Sequence, residues 1–192
     1  MVKRREDPIE VSTYQSGRLH FAVGVSDSGK IVRIALSYET EEEVLAEILR
    51  EHPDFEVTAD HVDLAKTVSD AYHGKKVKFN LNALELGSSS EAEDFTSECS
   101  PVTSFERRVL LEVSKIPFGE VTTYKKISES LGTRGYRAVG TAIGKNPFPI
   151  IIPCHRVVKS DGSIGNYRGG VRMKREILKN EGIEIMDDRI II

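Results

Sequence analysis

The chain has 192 residues, of which 39% are hydrophobic and 30% are charged, a composition typical of water-soluble globular proteins. This length is enough for one large domain or two small ones with buried cores. No apolar run approaches the roughly 20 residues of a membrane helix, and the charged start Met1–Pro8 lacks the apolar core of a secretory signal. Two cysteines, Cys99 and Cys154, do not make a disulfide framework, so we expect a cytoplasmic protein.

The formal net charge of −3 conceals a difference between the two halves. Residues 1–100 contain 11 Lys/Arg against 20 Asp/Glu, whereas residues 101–192 contain 16 against 10. Between positions 130 and 175 there are nine basic residues and one acid, Asp161. A basic half favours a polyanionic partner, although a solvated basic surface explains the same charges equally well.

The first half predicts a small α+β domain over residues 1–86. Three segments have strand composition: Val11–Tyr14, Leu19–Val25 and Ile31–Leu36. Two helices follow, from the capping pair Thr40 and Glu43 to about Arg50 and over about Asp60–Tyr72, and then a strand near Val77–Leu81. The four histidines in this half lack metal-ligand spacing and are interpreted as structural or surface residues. They are His20, His52, His61 and His73.

Residues 87–101 are small, polar and acidic, which predicts a mobile linker in which Cys99 is an incidental thiol. A second domain over 102–192 begins with a capping pair, Thr103 and Glu106, and a helix that ends before Pro117. Two short helices, about Thr123–Leu131 and Gly135–Gly144, then follow across a glycine turn. This helix-turn-helix pattern, with arginines on its second helix, predicts a recognition helix, although other helical hairpins share it.

Cys154 is the candidate nucleophile of the second domain. The apolar run Ile150–Ile152 predicts a buried strand that continues through Cys154 to Val158. A thiol reacts as thiolate, and only about 3% is ionised at pH 7 without help. His155, next to Cys154 in the sequence, is the candidate base and would take the thiol proton directly or through a water. Glu181, at the end of a helix over Val171–Asn180, is a candidate to orient the imidazole. From the residues alone, a core cysteine, a cysteine hydrolase and a reactive thiol near a DNA-binding helix remain open.

The glycine-rich loop Gly165–Gly170 has neither the P-loop nor the dinucleotide-binding pattern, so a nucleotide-phosphate site is not expected.

Together these segments resemble the O6-alkylguanine-DNA alkyltransferase family. The resemblance covers about residues 104–182 in order and with the family's spacing, whereas the first half is similar only in general character. The segments that carry it are Gly119–Tyr124, Arg137–Gly140, Asn146-Pro147, Ile151–Val158, Gly165–Gly170, Lys174 and Glu181. It implies an α+β chain in which a ribonuclease-H-like α/β domain precedes a winged-helix domain with a helix-turn-helix.

The resemblance also implies roles for individual residues. Cys154 accepts the alkyl group, His155 takes its proton through a water, and Glu181 orients the imidazole. Asn146 braces the active-site turn, and Tyr124 donates a proton to the departing guanine. The implied DNA-binding residues are Arg137, which fills the space of the extruded nucleotide, together with Thr123, Tyr124, Ala138, Gly140 and Lys145. The implied pocket residues are Val157, Tyr167, Arg168 and Pro149.

The activity implied is irreversible transfer of the alkyl group from O6-alkylguanine, and from O4-alkylthymine, in duplex DNA to Cys154, once per molecule and with base flipping. No cofactor and no metal are implied, because the zinc-binding cysteines of some relatives are absent. A monomer that binds DNA, with or without cooperativity, in the cytoplasm or on the nucleoid is expected. Arg168 stands where many relatives have a small residue, which leaves the accepted alkyl size open. Non-catalytic relatives that only bind the lesion lack the cysteine found here.

Overall fold

The computed structural model of the chain describes residues 8–87, 102–187 and 189–190. The chain divides into two compact units, Met1–Glu85 and Leu86–Ile192, and each combines helices with strands as predicted. Most of the predicted linker, including Cys99, lies outside the described residues.

The first unit is a four-stranded sheet with two helices. Its strands are β1 (Ile9–Ser16), β2 (Leu19–Val25), β3 (Ile31–Ser37) and β4 (Phe55–Val57), and its helices are α1 (Glu41–Leu49) and α2 (Val62–Tyr72). The sheet order is β3-β2-β1-β4, with β1, β2 and β3 antiparallel and β4 parallel to β1. Helix α1 packs on β3 and β2, and α2 packs on β1 and β2. The three predicted strands and two predicted helices are present, whereas β4 was not predicted.

A buried arginine ties helix α1 to the sheet. Arg33 on β3 is 1% exposed and pairs with Glu47 at 3.2 Å and with Glu51 at 2.5 Å. Glu47 belongs to α1 and Glu51 to the turn that follows it, so Arg33 binds the C-terminal end of this helix. This charge pairing explains a basic residue within an otherwise apolar strand and gives Arg33 a structural role.

The strand predicted at Val77–Leu81 is wrong. Residues 75–80 have no assigned strand, and a short 3-10 helix occupies Leu81–Ala83, where the Asn80 side chain accepts a hydrogen bond from the Asn82 amide. The edge of β3 is taken instead by Leu84, which bridges Ile31 in parallel. Val77 and Phe79 do alternate with exposed neighbours, but an extended segment without a partner strand does not become part of a sheet.

The second unit is mainly helical. Its elements are α3 (Ser104–Val113), β5 (Thr122–Thr123), α4 (Tyr124–Ser130), α5 (Tyr136–Gly144), β6 (Val157–Val158), α6 (Gly170–Asn180), β7 (Ile185–Met186) and β8 (Arg189–Ile190). The predicted capping box is present, since Thr103 Oγ1 accepts from the Glu106 amide at 3.2 Å and Glu106 Oε2 accepts from the Thr103 amide at 2.9 Å. Helix α5 packs against both α3 and α4, and β5 pairs in parallel with β6. The four helices were predicted, whereas the short strands β5, β7 and β8 were not.

The buried strand predicted from Ile150 through Cys154 is also wrong. Residues 150–151 form a turn, Ile150 has a φ of 74°, and Cys154–Arg156 form a 3-10 turn that leads into β6. The segment is apolar because it is buried, and Pro153 within it, like Pro147 and Pro149 before it, has no amide hydrogen to donate to a neighbouring strand. Cys154 therefore lies on a tight turn, and only Val157–Val158 keep the predicted strand conformation.

Candidate active site

Cys154 lies at the wall of a cavity of about 210 Å³ in the second unit. The thiol residue is 7% exposed and begins the 3-10 turn directly after Pro153. The cavity brings together residues that are far apart in the sequence, and several of them were predicted for the site: Tyr124, Gly140, Asn146, Pro149, Tyr167 and Arg168. Asn166 and two residues of α5, Ile143 and Gly144, also line it and were not predicted.

Asn146 holds the turn that presents Cys154. Its Nδ2 donates to the carbonyl of Ile152 at 3.0 Å, and its Oδ1 accepts from the amide of Phe148 at 3.0 Å. The side chain is 3% exposed, so both hydrogen bonds are shielded from water. Between these anchors Ile150 adopts the left-handed region, which costs a β-branched residue about 1–3 kcal/mol. The predicted bracing role of Asn146 therefore has a direct geometric basis.

The surroundings of the thiol favour its protonated form at rest and support the thiolate when it forms. Burial raises the pKa of Cys154. The Asn146 amide, the Lys174 ammonium and the backbone amides of Cys154 and His155 act in the opposite direction. A neutral buried thiol with donors already in place requires a base to remove its proton.

His155, the residue after Cys154 in the chain, is held by a buried carboxylate. Its Nε2 lies 3.0 Å from Glu181 Oε1, and the two side chains are 1% and 2% exposed. A carboxylate only accepts, so Nε2 carries the proton and Nδ1 keeps its lone pair. Nδ1 is buried and has no hydrogen-bond partner among the described residues. Burial lowers the pKa of His155 against the opposing influence of Glu181, so the imidazole is neutral near pH 7.

Glu181 follows the last residue of α6 and remains ionised. Burial acts against its charge, but hydrogen bonds from His155 and Arg156 hold its pKa at about 2. The end of α6 is fixed by an apolar cluster to which Leu178 belongs, together with Val158, Ile164 and Ile190. The predicted pairing of Glu181 with His155 is thus present, and Arg156 is an additional partner that the sequence did not identify.

Lys174 is a second residue to which no role was assigned from the sequence. It is fully buried on α6, and its Nζ donates to the Val157 carbonyl at 2.6 Å. Burial lowers its pKa to about 8, while the charge of the Cys154 thiolate acts in the opposite direction. Lys174 therefore fixes the peptide of a predicted pocket residue and contributes positive potential at the thiol. The sequence did contain a sign of this role, because Lys174 falls on the apolar face of α6 beside Met173, Ile177 and Leu178.

Tyr124 extends from the start of α4 into the cavity. Its ring lies 3.8 Å from where a Cβ at Gly140 would be, and its hydroxyl is 3.7 Å from the equivalent point at Gly165. Burial and the nearby Cys154 raise the pKa of Tyr124. The hydroxyl therefore keeps its proton over the physiological range and is available as a donor. The Tyr124 side chain therefore packs directly against the backbone of both glycines.

The predicted recognition helix has one exposed face. Arg137 and Ala138 are exposed on it, and Arg134 is exposed just before its start, whereas Val139 and Ile143 are buried. Because Gly140, Ile143 and Gly144 line the cavity, the same helix connects the basic surface to the Cys154 site.

Two predicted DNA-binding residues also have structural roles. Thr123 is 5% exposed, and its hydroxyl caps α4 by accepting from the Lys126 amide at 3.1 Å. Lys145 Nζ lies 2.7 Å from Glu106 Oε1, so its charge is already paired. Their contacts with DNA remain predictions, and Arg137 is the better-placed cation.

The glycine-rich loop closes one side of the cavity. Tyr167 is partly buried and Arg168 is exposed, and both border the site. A Cβ at Gly169 would lie 2.2 Å from Met173 Sδ, so a larger residue where the loop meets α6 would require the buried Met173 side chain to move.

The four other histidines considered in the sequence are not part of this site. All four remaining histidines belong to the first unit, where His61 pairs with Glu10 at 2.8 Å. No group of three His, Cys, Asp or Glu side chains that could hold a metal occurs within residues 8–87, 102–187 and 189–190. Over the same residues, no helix has the length and apolar character needed to cross a bilayer.

Comparison with known proteins relates this site to one family. Residues 104–183 match the family model for the DNA-binding domain of 6-O-methylguanine DNA methyltransferase. A methylated-DNA–protein-cysteine methyltransferase of Metallosphaera sedula is 40% identical over 121 residues, which are 63% of this chain and 67% of that protein. The chain belongs to the methylated-DNA–protein-cysteine methyltransferase family. It spans 56% and 52% of the lengths of two other curated relatives with this name.

Solved structures of the methyltransferase family share the fold over nearly the whole chain. The O6-methylguanine-DNA methyltransferase of Pyrococcus kodakaraensis superposes with a TM-score of 0.69 and 29% identity over 91% of this chain and 99% of that one. A Mycobacterium tuberculosis protein crystallised in complex with DNA gives a TM-score of 0.68 and 25% identity over 90% and 92%. The predicted α+β fold class, with an α/β domain before a helical one, is therefore confirmed.

Proposed function

We propose that the protein repairs DNA by transferring the alkyl group of O6-alkylguanine, and of O4-alkylthymine, to Cys154. The observation that carries this proposal is the buried thiol at a cavity lined by Tyr124 and by helix α5, which exposes Arg137, with His155 of the buried His155–Glu181 pair directly after Cys154 in the chain. Family membership supports the chemistry, since relatives are named for cysteine methyl transfer from methylated DNA. Duplex DNA is the proposed partner, in keeping with the M. tuberculosis relative crystallised with DNA.

In the proposed reaction, His155 Nδ1 accepts the thiol proton through a water, and Glu181 compensates the charge of the resulting imidazolium. The thiolate attacks the alkyl carbon in line, so that a C–S bond forms while the C–O6 bond breaks. The electron pair of the broken bond remains on the guanine, which takes a proton at N3 from Tyr124. Tyr124 is reprotonated from the imidazolium or from solvent, so protons and electrons balance.

Access to the lesion requires the nucleotide to leave the base stack, at a cost of a few kcal/mol. In the proposal Arg137, exposed on α5, enters the duplex and offsets part of this cost, while other cations contact phosphates. The thioether on Cys154 does not hydrolyse, so each molecule reacts once. We propose a monomer in the cytoplasm that associates with the nucleoid through DNA.

A duplex oligonucleotide with O6-methylguanine inside a restriction site tests this function. Restored cleavage is measured against the number of protein equivalents added. We expect repair to stop at one lesion per protein molecule and to be absent in Cys154→Ser. A folded wild-type protein that repairs no lesion, or one that repairs several lesions per molecule, would contradict the proposal.

A further inference from the structure

The carboxylate of Glu181 is shared between two cationic or potentially cationic side chains. Its Oε1 accepts from His155 Nε2 at 3.0 Å and from Arg156 Nη2 at 2.7 Å, and its Oε2 accepts from Arg156 Nε at 2.9 Å. The arginine therefore binds both oxygens as a fork, which is the strongest geometry for this kind of pair. His155 receives only one oxygen of a carboxylate that is already paired.

Arg156 is itself fixed from its other side. Its Nη1 donates to the Ile116 carbonyl at 2.7 Å, and its guanidinium carbon lies 5.7 Å from the centre of the Phe118 ring. Only 13% of the side chain is exposed. Three directions of contact hold the guanidinium against Glu181, so the positive charge cannot move away from the His155 pair without breaking buried hydrogen bonds.

The charges around His155 come from three positions besides the Cys154 thiol. Glu181 favours the imidazolium, whereas Arg156 and Lys174 disfavour it, and burial of the ring also disfavours it. A histidine paired with an isolated carboxylate would be drawn towards protonation, and a protonated ring has no lone pair for the Cys154 proton.

We propose that Arg156 is a positioning residue that keeps His155 neutral, with Nδ1 as proton acceptor, by neutralising the carboxylate that orients the imidazole. This inference rests on the proposed alkyl transfer and assigns a role to a residue that does not line the cavity. Glu181 can then fix the tautomer of His155 while the imidazole stays neutral until it accepts the proton of Cys154.

The test uses single-turnover reaction with free O6-benzylguanine, which needs no base extrusion, from pH 5 to pH 9. The full-length wild type is compared with Arg156→Met, which removes the charge, and Arg156→Lys, which keeps the charge without the fork. Lys115→Gln is the control for loss of a positive charge, because the Lys115 side chain is 70% exposed and its ion pair with Glu112, in the same unit, does not line the cavity. The quantity compared is the midpoint pH of the acid limb, which does not depend on the amount of folded protein.

We expect the midpoint of Arg156→Met to rise by about one pH unit, which is about a tenfold loss of rate at pH values below both midpoints. Arg156→Lys should shift by less than half as much, and Lys115→Gln should not shift. An unchanged midpoint in Arg156→Met would overturn the proposal, and so would a lysine variant that shifts by half as much or more. A merely structural role would lower the rate at every pH without moving the midpoint.

A second variant covers the case in which Arg156→Met does not fold. Glu181→Gln leaves the Arg156 charge beside His155 without its counter-charge, so the midpoint should fall below that of the wild type. A midpoint that stays or rises would contradict the electrostatic account.

A readout independent of alkyl transfer separates this inference from the proposed function. Imidazole ¹⁵N NMR of the labelled protein follows the titration of His155, whose signals are assigned by their absence in His155→Gln. We expect the wild type to show the Nε2–H tautomer at pH 7 and Arg156→Met to titrate at higher pH. If the wild type does not react with benzylguanine, the function fails. If the NMR titration is the same in both proteins, the role of Arg156 fails.

Discussion

Replacement of Glu181 by Gln should destabilise the protein at neutral pH and lose this effect in acid. The pKa of Glu181 falls from 4.5 to about 2 on folding, despite burial, because His155 and Arg156 bind the ionised form. A lowering of about 2.5 pH units corresponds to about 3 kcal/mol at about 1.4 kcal/mol per unit. Because the folded pKa is depressed, this stability is fully present above about pH 4.5 and is lost as the pH falls towards 2.

The assay is urea denaturation of wild type and Glu181→Gln at pH 7, 5, 3.5 and 2.5, followed by circular dichroism. We expect the variant to unfold more easily by about 3 kcal/mol at pH 7, with the difference shrinking continuously below pH 4.5 as the wild-type carboxyl becomes protonated. Other carboxylates titrate equally in both proteins and cancel in the difference. A difference in unfolding free energy that stays constant across this range would refute the reasoning, since it would assign the loss to packing instead of charge.

Three further predictions concern the site. Arg137→Ala should slow repair of duplex DNA by about tenfold or more but leave the reaction with free benzylguanine nearly unchanged, because only the duplex requires base extrusion; equal losses on both substrates would remove the finger role. Tyr124→Phe should slow transfer by about a hundredfold with little change in DNA affinity, as expected for a lost proton donor, and an affinity collapse in a binding assay would reassign it. Lys174→Met should raise the pKa of Cys154, so labelling of the Cys154 peptide by iodoacetamide at pH 7 should slow by about tenfold; unchanged labelling would exclude a contribution of Lys174 to the thiolate.

Local sequence signals predicted the regular elements of this fold well. The capping pair at Thr103 and Glu106 and the apolar period of α3 both lie within the helix's own sequence, so they predict it without knowledge of its partners. The short strand β5 was not predicted, because a two-residue strand exists only through its pairing, here with β6 across the chain. The same reason accounts for the error at Val77–Leu81, where a strand-like pattern finds no partner because Leu84 takes the edge of β3.

At the site, the sequence motif predicted the identity of most residues but not their arrangement in space. The apolar run before Cys154 suggested a strand, whereas Asn146 folds it into a turn through two hydrogen bonds that no local pattern encodes. The proximity of Glu181 to His155 depends on the packing of α6 and was only a candidate from sequence. The role of Arg156 was not visible at all, because its partners Glu181 and Ile116 are 25 and 40 residues away.

Intact-mass measurement after incubation with O6-methylguanine duplex DNA tests the central claim most directly, with peptide mapping to separate Cys154 from Cys99. The account predicts one methyl adduct per molecule, located on Cys154, and none in Cys154→Ala. An unmodified mass for demonstrably folded wild-type protein, or an adduct located on Cys99 instead, would contradict it.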